Sequence, residues 1–231
     1  MELYFGFRGN ANEIILTEEE SNHLVAVRRS QPGDEVRITD GKGNIFTALL
    51  EQADKHKSCL RIIKTEKIPA KPYWLHIAIA PTKNIERTEW FIEKAVETGI
   101  SEISFLRCRH SERKEIKIDR LKKVALAAMK QSLKAFLPTL NDMKHFNDFV
   151  SGNYQEIKFI CSMKGKDTFR QAYHPGKSLL AMIGPEGDFH DAEYALAVQH
   201  GFIPVALSES RLRTETAALT ACTIFNFLNT Q

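Results

Sequence analysis

The sequence predicts an α/β chain in two parts, a small β-barrel followed by a larger domain built on a parallel sheet. Three observations predict it. Residues 1–68 hold five or six short, mostly alternating apolar runs and one helical stretch, the pattern of a compact barrel. The prolines of Ile68-Pro-Ala-Lys-Pro72 then keep the chain extended, which sets a linker at residues 69–72. From Trp74 onwards strand-like and helix-like segments alternate, as in βαβ units with right-handed crossovers, so residues 73–231 read as one domain.

In the first part, Leu3-Tyr-Phe-Gly-Phe7 and Glu13-Ile-Ile-Leu16 read as strands. Thr17-x-x-Glu20 is a capping-box signature that opens a short helix through Val27. Pro32-Gly-Asp34 makes a turn, and Glu35-Val-Arg-Ile-Thr39 alternates as a half-buried strand. Asp40-Gly-Lys-Gly43 is a hairpin turn whose glycines supply positive φ. Strands over Ile45–Glu51 and Ser58–Lys64 complete the set.

Beyond the linker, Trp74-Leu-His-Ile-Ala-Ile-Ala80 is a buried strand. Lys83–Thr98 is a helix with Phe91, Ala95 and Val96 on one face, stopped by Gly99. Glu102–Leu106 is a strand, and Ile118–Lys134 an Ala-rich helix ending before Pro138. Residues 141–156 are polar and short-patterned, which predicts a surface helix and connector. Lys158–Cys161 is a strand, with the loop Ser162-Met-Lys-Gly165 at its end.

The last fifth of the chain organises the rest. Ser178–Ile183 is an apolar run of a buried parallel strand and breaks into Gly184-Pro-Glu-Gly-Asp188. Pro185 at the second position and Gly187 at the fourth suit a type I turn. A helix over Ala192–His200 stops at Gly201, and a strand over Phe202–Leu207 runs into Ser208–Thr216, which opens the C-terminal helix. Two loops thus stand at the carboxyl ends of neighbouring strands, where open α/β sheets bind ligands.

Composition excludes several classes. The start, Met1-Glu-Leu-Tyr-Phe-Gly, is unlike a signal peptide, and no run approaches the ~20 apolar residues of a membrane span. Four scattered cysteines without a Cys-x-x-Cys pair argue against zinc and against a disulfide scaffold, and for inert thiols in a reducing cytoplasm. With neither Gly-x-Gly-x-x-Gly nor a Walker lysine motif, nicotinamide and nucleoside-triphosphate chemistry are not expected. Net charge is only +3, yet Arg107–Lys134 carries ten Lys/Arg against three acids, a local +7. That stretch is either a phosphate-facing patch or a solvated helix face.

Ile183-Gly-Pro-Glu-Gly187, a helix, and then Leu207, five residues and Arg213-Thr-Glu-Thr-Ala217 resemble the S-adenosylmethionine (SAM) binding end of the RsmE family. These are ribosomal-RNA uridine-N3 methyltransferases of the knotted SPOUT superfamily. The likeness runs through nearly the whole chain: Arg87-x-x-x-x-Ile92-Glu-Lys-Ala95 with Gly99-Ile100, Ser111-Glu-Arg113, and Ala128-Met-Lys-Gln-Ser132. In the first part, His23-Leu-x-x-Val27-Arg28-Arg29, Pro32-Gly-Asp34 and Asp40-Gly-x-Gly43 resemble the family's PUA-like RNA-binding domain. The departures are Glu2 and Leu3 where many relatives carry arginine, Asp188 in place of a second glycine, and His190 in place of a helix-capping serine.

Patterning alone gives a doubly wound, Rossmann-like sheet; a SPOUT-type sheet with a deep trefoil knot is implied only by the resemblance. The resemblance further implies SAM as cofactor and no metal. It places Met163, Gly184, Glu186, Gly187, Leu207, Leu212, Arg213, Thr216 and Ala217 around the cofactor. Arg28, Arg29, Arg113, Lys130 and Gln131 are its RNA contacts. For Arg28 and Arg29 the alternative is pairing with a helix C-terminus, and for Lys130 and Gln131 an ordinary exposed helix end. The implied partners are 16S rRNA, within the small ribosomal subunit, and a second copy of the chain in a cytoplasmic homodimer.

The implied reaction is methylation of N3 of one uridine in 16S rRNA. N3 carries a proton at neutral pH and must lose it before attack. A guanidinium beside O2 or O4 stabilises the imide anion, and Arg213 is the candidate, with a salt bridge to Glu209 or Glu215 as its other possible role. Glu215 is the candidate proton acceptor. The rival readings are a knotted enzyme acting on ribose 2′-OH or on tRNA, and a catalytically silent RNA-binding module.

Overall fold

The computed structural model describes residues 2–10 and 12–230; Met1, Ala11 and Gln231, which the expected domain spans include, lie outside them. Two units divide the chain. One runs through Ala70 and includes Leu126–Leu137; the other comprises Lys71–Ala125 and the chain from Pro138 onwards.

In the first unit, β1 (Leu3–Arg8) and β2 (Glu13–Leu16) are followed by helix α1 (Glu18–Asn22), then β3 (Glu35–Thr39), β4 (Asn44–Gln52) and β5 (Cys59–Lys67). The strands close a barrel in the order β1-β2-β5-β4-β3. Side-chain alternation points Tyr4, Ile14, Ile38, Phe46, Ala48 and Leu60 inwards to form its core. The hairpin turn has the expected chemistry: Gly41 and Gly43 have φ of 69° and 95°, and Asp40 Oδ1 accepts the Lys42 and Asn44 N–H groups.

The helix expected through Val27 does end there, but its second half is a π-helical turn, His23–Val27. Only half of the capping box forms. Thr17 accepts the Glu20 N–H at 3.3 Å, while the Glu20 carboxylate turns inwards instead of reaching back. It is 3% exposed, accepts the Phe5 N–H and is ion-paired with Lys130. Lys130→Met therefore leaves a buried carboxylate without its cation and should cost about 3 kcal/mol. Urea unfolding checks this, with Glu20→Gln/Lys130→Met recovering part of the loss.

The second unit contains β6 (Leu75–Ile79), α2 (Ile85–Thr98), β7 (Glu102–Arg107), the start of α3 (Ile118–Gln131), β8 (Thr139–His145), α4 (Phe146–Val150) and β9 (Ile157–Cys161). It continues with β10 (Asp167–Thr168), α5 (Phe169–Ala172), β11 (Leu179–Ile183), α6 (Asp191–Gln199), β12 (Ile203–Ala206) and α7 (Thr214–Asn229). The strands form one sheet, order β10-β12-β9-β11-β6-β7-β8, with every pairing parallel. The central strands β6 and β11 are buried at every position, as a sheet covered on both faces requires. Phe146, Phe149, Phe189 and Phe202 pack one face, while α7 lies against α2, β6 and β11.

Within the stretch expected as a surface helix and connector a helix does form, α4, but its Phe146, Phe149 and Val150 are buried, and the residues before it are the edge strand β8. An edge strand has one solvated side, so its polar alternation looks like a loop. The expected barrel followed by a parallel sheet otherwise stands. From β12, next to one edge, the chain returns to α7 at the centre. On the way Arg211 donates to the Glu186 carbonyl at 2.7 Å and Thr214 to the Gly184 carbonyl at 3.1 Å. These bonds tie the last connection to the loop after β11.

His76, on β6, is buried with Nε2 2.8 Å from Ser104 Oγ and its ring edge-on to Phe149. Burial holds its pKa below the usual value, opposed by Glu102 and Glu156 and aided by Lys144. The unfolded chain therefore takes up a proton that the fold refuses. Stability contributed by His76 is lost as pH falls below about 6.5. Urea midpoints should drop between about pH 7.5 and 5.5, less so in His76→Gln.

Candidate active site

Three loops leave the carboxyl ends of adjacent strands β9, β11 and β12, whose register sets Cys161 beside both Ile183 and Val205. They enclose a cleft of about 370 Å³ lined by Cys161–Met163, Ile183–Glu186, Asp188, Leu207, Ser208, Ser210–Thr214 and Ala217, with Arg87 from α2. The Cys161 thiol in its floor is pushed up to about 12 by burial, so it is no nucleophile.

Each loop is held by its own sequence. After β9, Ser162 N–H bonds the Val205 carbonyl, and a Cβ on Gly165 would stand 2.4 Å from the Val205 carbonyl carbon. Only glycine lets this loop lie so close on β12. Met163, 53% exposed, then faces the cleft.

After β11, the turn forms one residue later than expected, with Asp188 N–H bonding the Pro185 carbonyl at 2.9 Å. Asp188 takes φ 63°, which Asp tolerates because its own carboxylate bonds the next N–H, that of Phe189. Its other oxygen accepts from Ser162, tying the two loops together. His190 caps α6 through Nδ1, which accepts the Ala192 N–H, while Glu193 accepts the His190 N–H in return. The histidine thus does the work of the serine it replaces.

The Glu186 carboxylate accepts the Lys83 N–H, and Arg113 donates to the Thr82 and Lys83 carbonyls. Both side chains brace the β6–α2 connection. Gly187 does not line the cleft, and a Cβ there would make only an ordinary 3.4 Å contact with His110.

Arg213 is the N-cap residue of α7 and is exposed at the cleft. The salt bridges that competed for it do not form: among the described residues its guanidinium has no ion-pair partner. Glu215 lies 3.9 Å from Arg87 Nε instead. It is 7% exposed, and its Oε2 has no hydrogen-bond partner among the described residues. Arg213, Arg87 and Glu215 also line an adjoining cavity of about 340 Å³ with Asn84, Glu86 and Trp90. Thr216 opens into that cavity, not into the cleft.

The RNA candidates scatter. Arg28 is paired with Glu2 at 3.2 Å, Arg29 sits exposed with φ 60°, and Gln131 is exposed at the end of α3. Lys130 is committed to Glu20 and Arg113 to backbone carbonyls. Sequence reasoning missed Arg87 and Arg211 as cleft residues, although Arg87 stands in one of the motifs quoted above.

A family model described as an RNA methyltransferase domain matches residues 69–226, and one described as an RNA methyltransferase PUA domain matches residues 16–63. The chain belongs to the RsmE family of RNA methyltransferases. Proteins named ribosomal RNA small subunit methyltransferase E are similar to this RsmE-family chain along most of its length. That of Buchnera aphidicola is 28% identical, covering 90% of this chain and 85% of its own. That of Bacillus subtilis is 27% identical, covering 92% and 89%. Among solved structures, a probable rRNA-methyltransferase from Porphyromonas gingivalis superposes with a TM-score of 0.91 at 38% identity, covering 100% of this chain and 99% of its own. A Legionella pneumophila methyltransferase, solved with the bound cofactor SAM, gives 0.89 at 26% identity, covering 99% and 98%. Among the described residues, no helix is long and apolar enough to cross a membrane, and no group of three or more His, Cys, Asp or Glu side chains could hold a metal.

Proposed function

We propose that this enzyme uses SAM to methylate N3 of a specific uridine in 16S rRNA, in the cytoplasm and within the small ribosomal subunit. The observation that carries the reading is the exposed Arg213, without an ion-pair partner among the described residues, which lines both the three-loop cleft and the cavity that holds Glu215. The cleft suits the cofactor. Its volume admits a nucleoside, Ile183, Leu207, Leu212 and Ala217 offer apolar surface to adenine, and loop backbone offers groups for the ring edge. Gly184 packs so closely on Phe189 that a Cβ would stand 3.1 Å from its ring, which keeps the cleft wall thin. When bound, SAM supplies a methyl group activated by its sulfonium.

The chain's own residues do the rest. Arg213 presents a flat fork to the uracil O2 or O4 and stabilises the imide anion. Glu215, which lines the adjoining cavity with Arg213, is the candidate acceptor of the N3 proton. The names of the Buchnera and Bacillus relatives support 16S rRNA as substrate, and the Legionella complex supports SAM.

A substrate with 2′-deoxyuridine at the target tests the reading. It should still accept methyl, whereas an enzyme modifying the ribose 2′-OH has no atom left to attack. Calorimetry with SAM separates either enzyme from a silent RNA-binding module. The homodimer remains part of the proposal, as the family resemblance implies. Sedimentation at micromolar concentration should give the mass of two chains; a fully active monomer contradicts it.

A further inference from the structure

Beside the cleft, on the same edge of the sheet, lies a larger groove of about 890 Å³ between the ends of β7 and β8, the start of α4 and the side of α6. Arg107, Arg109 and Lys114 line it, with His145 and His190. Of its two acids, Glu193 is buried and accepts the Arg109 and His190 N–H groups, which leaves Asp148 as the exposed one.

The basic stretch identified in the sequence divides here. Arg113 is held by backbone carbonyls, Arg120 by Glu89 and Lys130 by Glu20. Among the described residues the side chains of Arg107, Arg109 and Lys114 have neither a hydrogen-bond nor an ion-pair partner. Three cations with no protein partner among the described residues give the groove a positive potential that suits a polyanion. The groove and the cleft share a wall: His110 Nδ1 donates to the Asp188 carbonyl at 3.1 Å, and its ring meets that of His190 edge-on.

We infer that this groove seats the backbone of the RNA strand that carries the target nucleotide, with its phosphates on Arg107, Arg109 and Lys114. The inference rests on the RNA-methyltransferase reading above. An acidic protein segment is the other polyanion, but the groove adjoins the cleft of an enzyme whose family acts on RNA.

The test uses the full chain and a fluorescein-labelled single-stranded uridine oligoribonucleotide, with affinity followed against salt. Each phosphate contact contributes about 0.7 to the log–log slope, so Arg107→Gln/Arg109→Gln/Lys114→Gln should flatten it by about 2 units. Lys114→Gln alone, at an exposed position, should flatten it by about 0.7 and guards against misfolding of the triple variant. SAM affinity should be unchanged in both. Slopes equal to wild type in variants that still bind SAM overturn the inference and leave the methyltransferase reading intact. Displacement of the oligonucleotide from wild type by polyglutamate at equal charge also overturns it, and assigns the groove to an acidic protein. If wild type binds no SAM while the slopes still differ, the function proposed above fails and the groove stands.

Discussion

Gly165→Ala weakens cofactor binding, whereas Gly187→Ala, in the Gly-Pro-Glu-Gly motif, largely keeps it. The added methyl at Gly165 lies 2.4 Å from the Val205 carbonyl carbon and 2.6 Å from the Ala206 nitrogen, which are backbone atoms that cannot swing aside. The loop must lift off β12, and it carries Met163 and the Ser162–Asp188 bond with it. Overpacking of this kind costs about 1–3 kcal/mol, equivalent to about 5- to 150-fold in affinity if it falls on the bound state. At Gly187 the same methyl meets His110 at 3.4 Å, and the φ is not one that only glycine adopts. SAM calorimetry on the two folded variants gives the comparison. Equal losses, or a greater loss at Gly187, contradict the assignment of the Ser162–Gly165 loop to the cofactor.

The second large effect is on chemistry. Arg213→Ala should slow single-turnover methyl transfer about 10²-fold, the usual consequence of removing one group that stabilises a developing anion. The apparent pKa of the step should move upward, since the cation that favoured the uridine anion is gone. Arg213→Lys should restore only part of the rate, because an ammonium cannot offer two parallel donors. Folding stability should hardly change, because the exposed Arg213 side chain makes no capping bond to α7. A pH–rate profile superimposable on wild type removes Arg213 from the reaction.

What the sequence made legible follows from how local each signal is. The barrel strands and their turns were read nearly to the residue, because alternation, Gly33, Gly41 and Gly43 are local commitments. Strand β8 was missed because Asp142 and Lys144 lie on the solvated side of an edge, which looks the same as a loop from sequence alone. The loops that line the cleft were legible as motifs, yet the reason for each glycine was not. Gly165 is required by a backbone forty residues away, and no local pattern encodes that approach. Charge was the least legible. Lys130, Arg113 and Arg107 look alike in sequence, and only the structure separates a buried ion pair, a loop brace and a cation without a protein partner among the described residues.

The central claim is tested most directly by nucleoside mass spectrometry of 16S rRNA from cells with and without this gene. The account predicts that N3-methyluridine is present in the first and missing from the second, with every 2′-O-methylated nucleoside unchanged. N3-methyluridine at the same level in both, or loss of a ribose-methylated nucleoside in its place, would contradict it.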